Sequence, residues 1–187
     1  DPAGFFLQAE QTGPAVFVPI DPLALTPSPE LGDVVALLVT APDIVRTQAP
    51  VTALGGVTVE SSGHDVGFLV QDLSAALDAD MPDLYESELV TVSGTLGALG
   101  GGGPGHVRAT LVTEVLDSPN FVFRAGNADF DAAGLSTGCD VTVGPSPIWR
   151  FASTTQAQAY RFTDIVVESC PAPTVQSATA IDNTTVR

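Results

Sequence analysis

Val57-Thr58-Val59-Glu60-Ser61 returns, barely altered, as Ile165-Val166-Val167-Glu168-Ser169. The likeness runs upstream of both copies, so that Asp33 to Glu60 echoes Asp140 to Glu168. Pro42, Ile44 and Arg46 find counterparts in Pro147, Ile148 and Arg150 after a one-residue slip, and Gln48-Ala49 parallels Gln156-Ala157. A stretch that recurs at a fixed offset, here about 107 residues, marks one supersecondary unit used twice. Each copy reads as two long paired strands that close a small barrel.

The flanking sequence supplies further strands. Gly4 to Gln8 and Ala15 to Ile20 precede the first copy. Leu89 to Leu96, Val107 to Glu114 and Phe121 to Arg124 precede the second, which itself contains Asp140 to Val143, Ile148 to Phe151, Ala159 to Phe162 and Ile165 to Glu168. Strands spaced eight to twelve residues apart with turn signals between them indicate an all-β sandwich or barrel. The second module is then complete in five strands, 89–99, 106–114, 120–126, 139–151 and 157–169, the size of an OB-like Greek-key barrel. The first module has 4–8, 15–20, 33–45 and 49–61 and lacks an opening strand, a place that Val66 to Gln71 or a segment further upstream would take. Only Leu73 to Asp80 reads as helical. The expected fold is all-β, with two OB-like five-stranded Greek-key barrels or closely packed β-sandwich modules. The expected layout is 1–72 for the first module, 73–88 for a short helix and acidic linker, 89–170 for the second module, and 171–187 for a strand-like tail or the start of a following domain.

Gly4-Phe5-Phe6-Leu7-Gln8, then Ala15-Val16-Phe17-Val18, then Leu31-Gly32-Asp33-Val34-Val35 resembles the OB-fold module attached to bacterial extracellular nucleases and large multidomain surface proteins. The resemblance covers about residues 1–61 and departs from the family pattern at Ala9, where an Asp is usual. It implies an accessory module whose neighbouring domain carries any catalysis. Pro173 to Ala180 resembles the opening strand of bacterial Ig-like repeats, which implies a longer multidomain chain.

The chain has 22 acidic residues, six arginines and no lysine, for a net charge of −16. Such a charge repels phosphate backbones and anionic lipid, so neither double-stranded nucleic acid nor membrane insertion is expected. The missing lysine excludes Schiff-base chemistry and the lysine of a P-loop. No window approaches the 18 apolar residues of a membrane-spanning helix. The start at Asp1 reads as a removed signal peptide or an excised fragment. Cys139 and Cys170, the only two cysteines, read as a disulfide in an oxidising, extracellular or cell-surface setting. A bridge closing that loop of about 30 residues contributes on the order of 3.6 kcal/mol in the chain-entropy description.

The motifs that carry chemistry are weak. Gly134-Leu135-Ser136-Thr137-Gly138 matches G-x-S-x-G, but a nucleophile elbow needs a strand before it, a helix after it and a later histidine. His64 and His106 both come earlier. The two histidines and two cysteines lack the close pairing of a zinc site. Asp78, Asp80 and Asp83 alternate near Glu86 and Glu88, and Asn127, Asp129 and Asp131 alternate before Gly134. Both recur as oxygen ligands do in calcium loops, without the Gly and Glu that complete one. Asp78, Asp80 and Asp83 are the candidate calcium ligands, and no other cofactor is expected. Strand parity sets Trp149 and Phe151 opposite Arg150, Phe121 and Phe123 opposite Arg124, and Tyr160 and Phe162 opposite Arg161. With all the aromatics inside, Arg124, Arg150 and Arg161 form a candidate ligand face.

The leading functional expectation is a non-catalytic structural or adhesive module of a bacterial surface or secreted protein. Its partners are neighbouring domains of a longer chain, or further copies that donate Thr174 to Arg187 as a strand and build a filament. The alternative is an OB module that binds single-stranded nucleic acid or carbohydrate for a secreted hydrolase or nuclease.

Overall fold

A computed structural model of the chain describes residues 4–42 and 51–172. The fold is all-β. Four strands near the start make two separate ladders: β1 (Phe5–Gln8) pairs with β2 (Ala15–Val18), and β3 (Val34–Pro42) pairs with β4 (Val51–Ser61). An eight-stranded sheet follows. Its members are β5 (Gln71–Asp72), β6 (Leu89–Gly101), β7 (His106–Val112), β8 (Phe121–Gly126), β9 (Asp140–Pro147), β10 (Trp149–Phe151), β11 (Thr154–Ala159) and β12 (Ile165–Ser169). A one-turn helix α1 (Pro82–Tyr85) precedes β6, and α2 (Asn127–Ala132) lies between β8 and β9.

β9 and β10 are two halves of one broken arm, and β11 and β12 are two halves of another. Counted that way, the sheet closes as a five-stranded Greek-key barrel of the OB type. β6 lies between β7 and β9, β7 pairs with β8, β8 runs parallel to β11, and β12 returns to β9. The parallel pair needs a crossover between its strands, and α2 with β9 and β10 provides it. Alternation fills the barrel: Val90, Val92 and Leu96, Ala109 and Leu111, Phe121, Phe123 and Ala125, Val141 and Val143, and Ala157 and Ala159 are each at most 1% exposed. Cys139 and Cys170 form a disulfide that extends the Asp140–Ser169 pairing by one rung, stapling the start of β9 to the end of β12.

The first module is built differently. Among its described residues only Phe17 and Val18 are buried apolar side chains, while Leu31, Leu38 and Phe68 are 87%, 63% and 65% exposed. Its pairing nevertheless repeats the second module rung for rung. Val34, Val35, Ala36 and Leu37 face Ser61, Val59, Thr58 and Val57. Asp140, Val141, Thr142 and Val143 face Ser169, Val167, Val166 and Ile165. Both ladders carry a bulge at the same rung, with Glu60 and Glu168 as the residues left over. The repeat is therefore structural. Ile44, Arg46, Gln48 and Ala49 of its first copy lie outside the described residues, as does the tail from Pro173 to Arg187.

Three local expectations are corrected. Leu73 to Asp80 forms turns, because the Asp72 carboxylate accepts from both the Ser74 amide and its hydroxyl and diverts the backbone at the start. The helical turn forms later, where Pro82 supplies a preset φ at the first position. The strand placed at Ala159 to Phe162 lies earlier, at Thr154–Ala159. Asp164 takes the amides of Tyr160 and Arg161 at 3.0 and 2.9 Å and withdraws them from any ladder. Val66 to Gln71 does not complete the first module. Gly67–Leu69 is a 3-10 turn, and Gln71 with Asp72 pairs in parallel with Val90 and Thr91 of the second.

Candidate functional site

A cleft of about 790 Å³ lies between the two ladders of the first module. One wall is Leu7, Gln8 and Val16 from the β1–β2 hairpin, and the other is Val34, Val35 and Leu37 from β3. His64 to Leu69 forms the floor, with Val66, Phe68 and Leu69 as its apolar members. Gly32 fixes the end of the cleft: its φ is +86°, its carbonyl accepts the His64 amide at 2.9 Å, and a Cβ there would lie 2.4 Å from the His64 oxygen. Along the cleft β1 pairs only with β2 and β3 only with β4, so each keeps one edge outside any ladder among the described residues.

The opposite face of the β1–β2 hairpin lies against the second barrel. Phe6 meets Trp149 and Tyr160 at ring-centroid distances of 6.5 and 6.0 Å, and Phe17 meets Trp149 at 5.2 Å, all edge-on. Gln8 ties three segments together. Its Oε1 accepts the Leu89 amide at 2.7 Å, and its Nε2 donates to the carbonyls of Glu10 and Leu69 at 3.0 and 3.3 Å. Beside it Glu88 is buried and accepts from the Gln71 carboxamide; burial pushes its carboxyl above the usual range, with the Gln71 bond opposing. The Tyr160 hydroxyl is buried without a hydrogen-bond partner among the described residues, and burial raises its pKa, against the Arg124 charge nearby.

The three candidate arginines are not brought together. Cross-strand partners share a face. Arg124 lies opposite Gln158, and Gln156 opposite both Val122 and Trp149, so Arg124 and Trp149 share one face of the sheet. Arg150 lies opposite Thr155, which lies opposite Phe121, so Arg150 starts from the other face. Arg124 donates to the Gly102 carbonyl and to Gln158 Oε1 at 2.8 and 2.7 Å. Arg150 pairs with Asp83 and with Glu86, the latter at 3.2 Å. Arg161 is exposed and pairs with Asp164 at 3.3 Å. Phe121 and Phe123 fill the barrel as expected, whereas Trp149 and Tyr160 face the hairpin, and Phe151 and Phe162 are about half exposed.

The candidate calcium ligands are separately engaged. Asp78 accepts from the Tyr85 hydroxyl at 2.7 Å, Asp80 from the Ser118 hydroxyl at 2.6 Å, and Asp83 pairs with Arg150. Among the described residues no group of three or more His, Cys, Asp or Glu side chains is placed to hold a metal ion. Ser136 is exposed in the loop between α2 and β9, with its amide 3.3 Å and its hydroxyl 3.5 Å from the disulfide sulfur of Cys139. His64 bonds Ser61, and His106 bonds the Pro104 carbonyl.

Sequence reasoning missed Gln8, Glu88 and the aromatic seam. The signal for the seam was present in Phe6 and Trp149, two large apolar side chains on strands whose opposite faces were already committed. No family model matches the chain, and no curated protein or solved structure matches it. The disulfide suits an oxidising compartment, and among the described residues no helix is long and apolar enough to cross a membrane.

Proposed function

We propose that the chain is a non-catalytic, extracellular structural or adhesive module of a bacterial surface or secreted protein, and that it assembles by accepting a β-strand. The observation that carries this reading is the cleft between β1 and β3. Among the described residues it separates two ladders that each keep an edge outside any ladder, and such edges template pairing with another chain. The donor in this reading is the segment Thr174 to Arg187 of another copy, and a contact of that kind is head-to-tail and propagates unless its rotation closes. The disulfide and the acidic surface suit a secreted location. Light scattering of the full chain and of a chain ending at Ala172 tests the assembly. The expected result is concentration-dependent growth in mass for the full chain only; monomers in both cases would end the self-assembly reading.

The accessory ligand-binding reading keeps one observation in its favour. Arg108 and Arg124 lie opposite each other on β7 and β8, the face an OB barrel uses for oligonucleotides and oligosaccharides. The net charge of −16 opposes single-stranded nucleic acid. Salt-dependent binding of an oligothymidylate would restore that reading at the expense of the first.

A further inference from the structure

The second module shows what fills the place that the first leaves open. In the barrel, β6 lies between β7 and β9, antiparallel to both, and its Val90, Val92 and Leu96 are buried. Val92 lies opposite Val143, Gly94 opposite Val141, and Thr95 opposite Asp140. The shared register of the two ladders makes Leu37, Val35 and Val34 the counterparts of Val143, Val141 and Asp140. Those three residues line the cleft. The β1–β2 hairpin precedes β3 as β7 and β8 precede β9, and it lines the other wall.

We infer that the cleft is a strand-acceptor site for one extended polypeptide strand with the side-chain pattern of β6, lying antiparallel to β1 and β3. This rests on the strand-accepting reading above and adds the partner's chemistry and register. The strand places a β-branched residue opposite Leu37 and a small residue opposite Val35, as Val92 and Gly94 do opposite Val143 and Val141. In β6 itself close approach requires the small residue: a Cβ on Gly94 would lie 2.7 Å from the Val112 carbonyl oxygen and 3.0 Å from the Leu111 side chain. Two further apolar residues, in the places of Val90 and Leu96, turn inward toward Leu7, Val16 and the Val66–Leu69 floor. Main-chain bonds to both edges supply affinity, and the alternate side chains supply register. The tail meets the pattern in part. Val175 and Ile181 keep the spacing of Val90 and Leu96, whereas Ser177 at the Val92 place and the β-branched Thr179 at the Gly94 place depart from the pattern.

The test uses the full chain and a synthetic peptide of residues 89–97, read by calorimetric titration and by amide hydrogen exchange. The expected result is saturable one-to-one binding, with exchange slowed at least about tenfold on residues 5–8 and 34–38. Peptides carrying Val92→Asp or Gly94→Val bind at least about tenfold more weakly, and a peptide of residues 174–182 binds more weakly than the parent. No saturable binding, protection that leaves either edge unchanged, or equal binding of the variant peptides would overturn the assignment. Peptide binding by a chain that stays monomeric would keep the acceptor site and end self-assembly. Assembly without peptide binding would do the reverse.

Discussion

Ionisation of the buried Glu88 opposes the fold. Burial raises its pKa, so the folded state holds the proton more tightly than the unfolded chain does. The resulting penalty is absent below the ordinary glutamate range near pH 4.3 and grows as pH rises through and beyond it. Glu88→Gln keeps the side-chain volume and removes the charge. In urea titrations the variant is expected to lose less stability than the parent between about pH 4 and 7. An identical pH dependence would show that Glu88 is not desolvated. Asp140 has the opposite sign: hydrogen bonds from Thr95 and Ser169 lower its pKa, so its contribution is lost as pH falls below the ordinary aspartate range. Calcium supplies a second check at this scale. Asp78, Asp80 and Asp83 already serve Tyr85, Ser118 and Arg150, so 10 mM Ca²⁺ is expected to leave the melting temperature unchanged. A ligand that binds the folded state would raise it by mass action.

At the scale of elements, the seam between the β1–β2 hairpin and the β10–β11 edge holds the modules together. Phe6 and Trp149 meet edge-on across it. A double-mutant cycle of Phe6→Leu and Trp149→Leu is expected to give a coupling of about 0.5–1.5 kcal/mol, the range for aromatic pairs. Additive effects would place the hairpin elsewhere in solution. The strands themselves were legible because Val and Thr runs alternate between turn residues, and the repeat was legible because Val-Glu-Ser recurs in the same setting. The arginine face was not. Parity fixes which residues of one strand share a side, yet the register between strands decides whether two sides coincide. Here it set Arg124 and Arg150 on opposite faces. The helix expected at Leu73 to Asp80 failed for a local reason, since Asp72 offers the backbone a competing bond that apolar periodicity does not reveal.

At the scale of the molecule, one repeated unit sits in two states of completion. The second copy encloses β6 and builds a buried core; the first has the same ladder and bulge, has no central strand among the described residues, and leaves Leu38 and Phe68 in solvent. The repeat pointed to an opening strand for the first module, and among the described residues β1 and β3 each keep an edge outside any ladder beside one cleft, which the sequence did not show. The proposed strand-acceptor cleft can be filled covalently. The measurement that tests it most directly is the calorimetric unfolding of a chain with a second copy of Leu89–Gly105, strand and following loop, fused ahead of Gly4. The melting temperature of the first module is expected to rise by at least about 5 °C, the shift that roughly 1 kcal/mol produces in a domain this small. Slowed amide exchange on residues 5–8 and 34–38 is expected as well. An unchanged melting temperature with unprotected edges would contradict the strand-acceptor assignment.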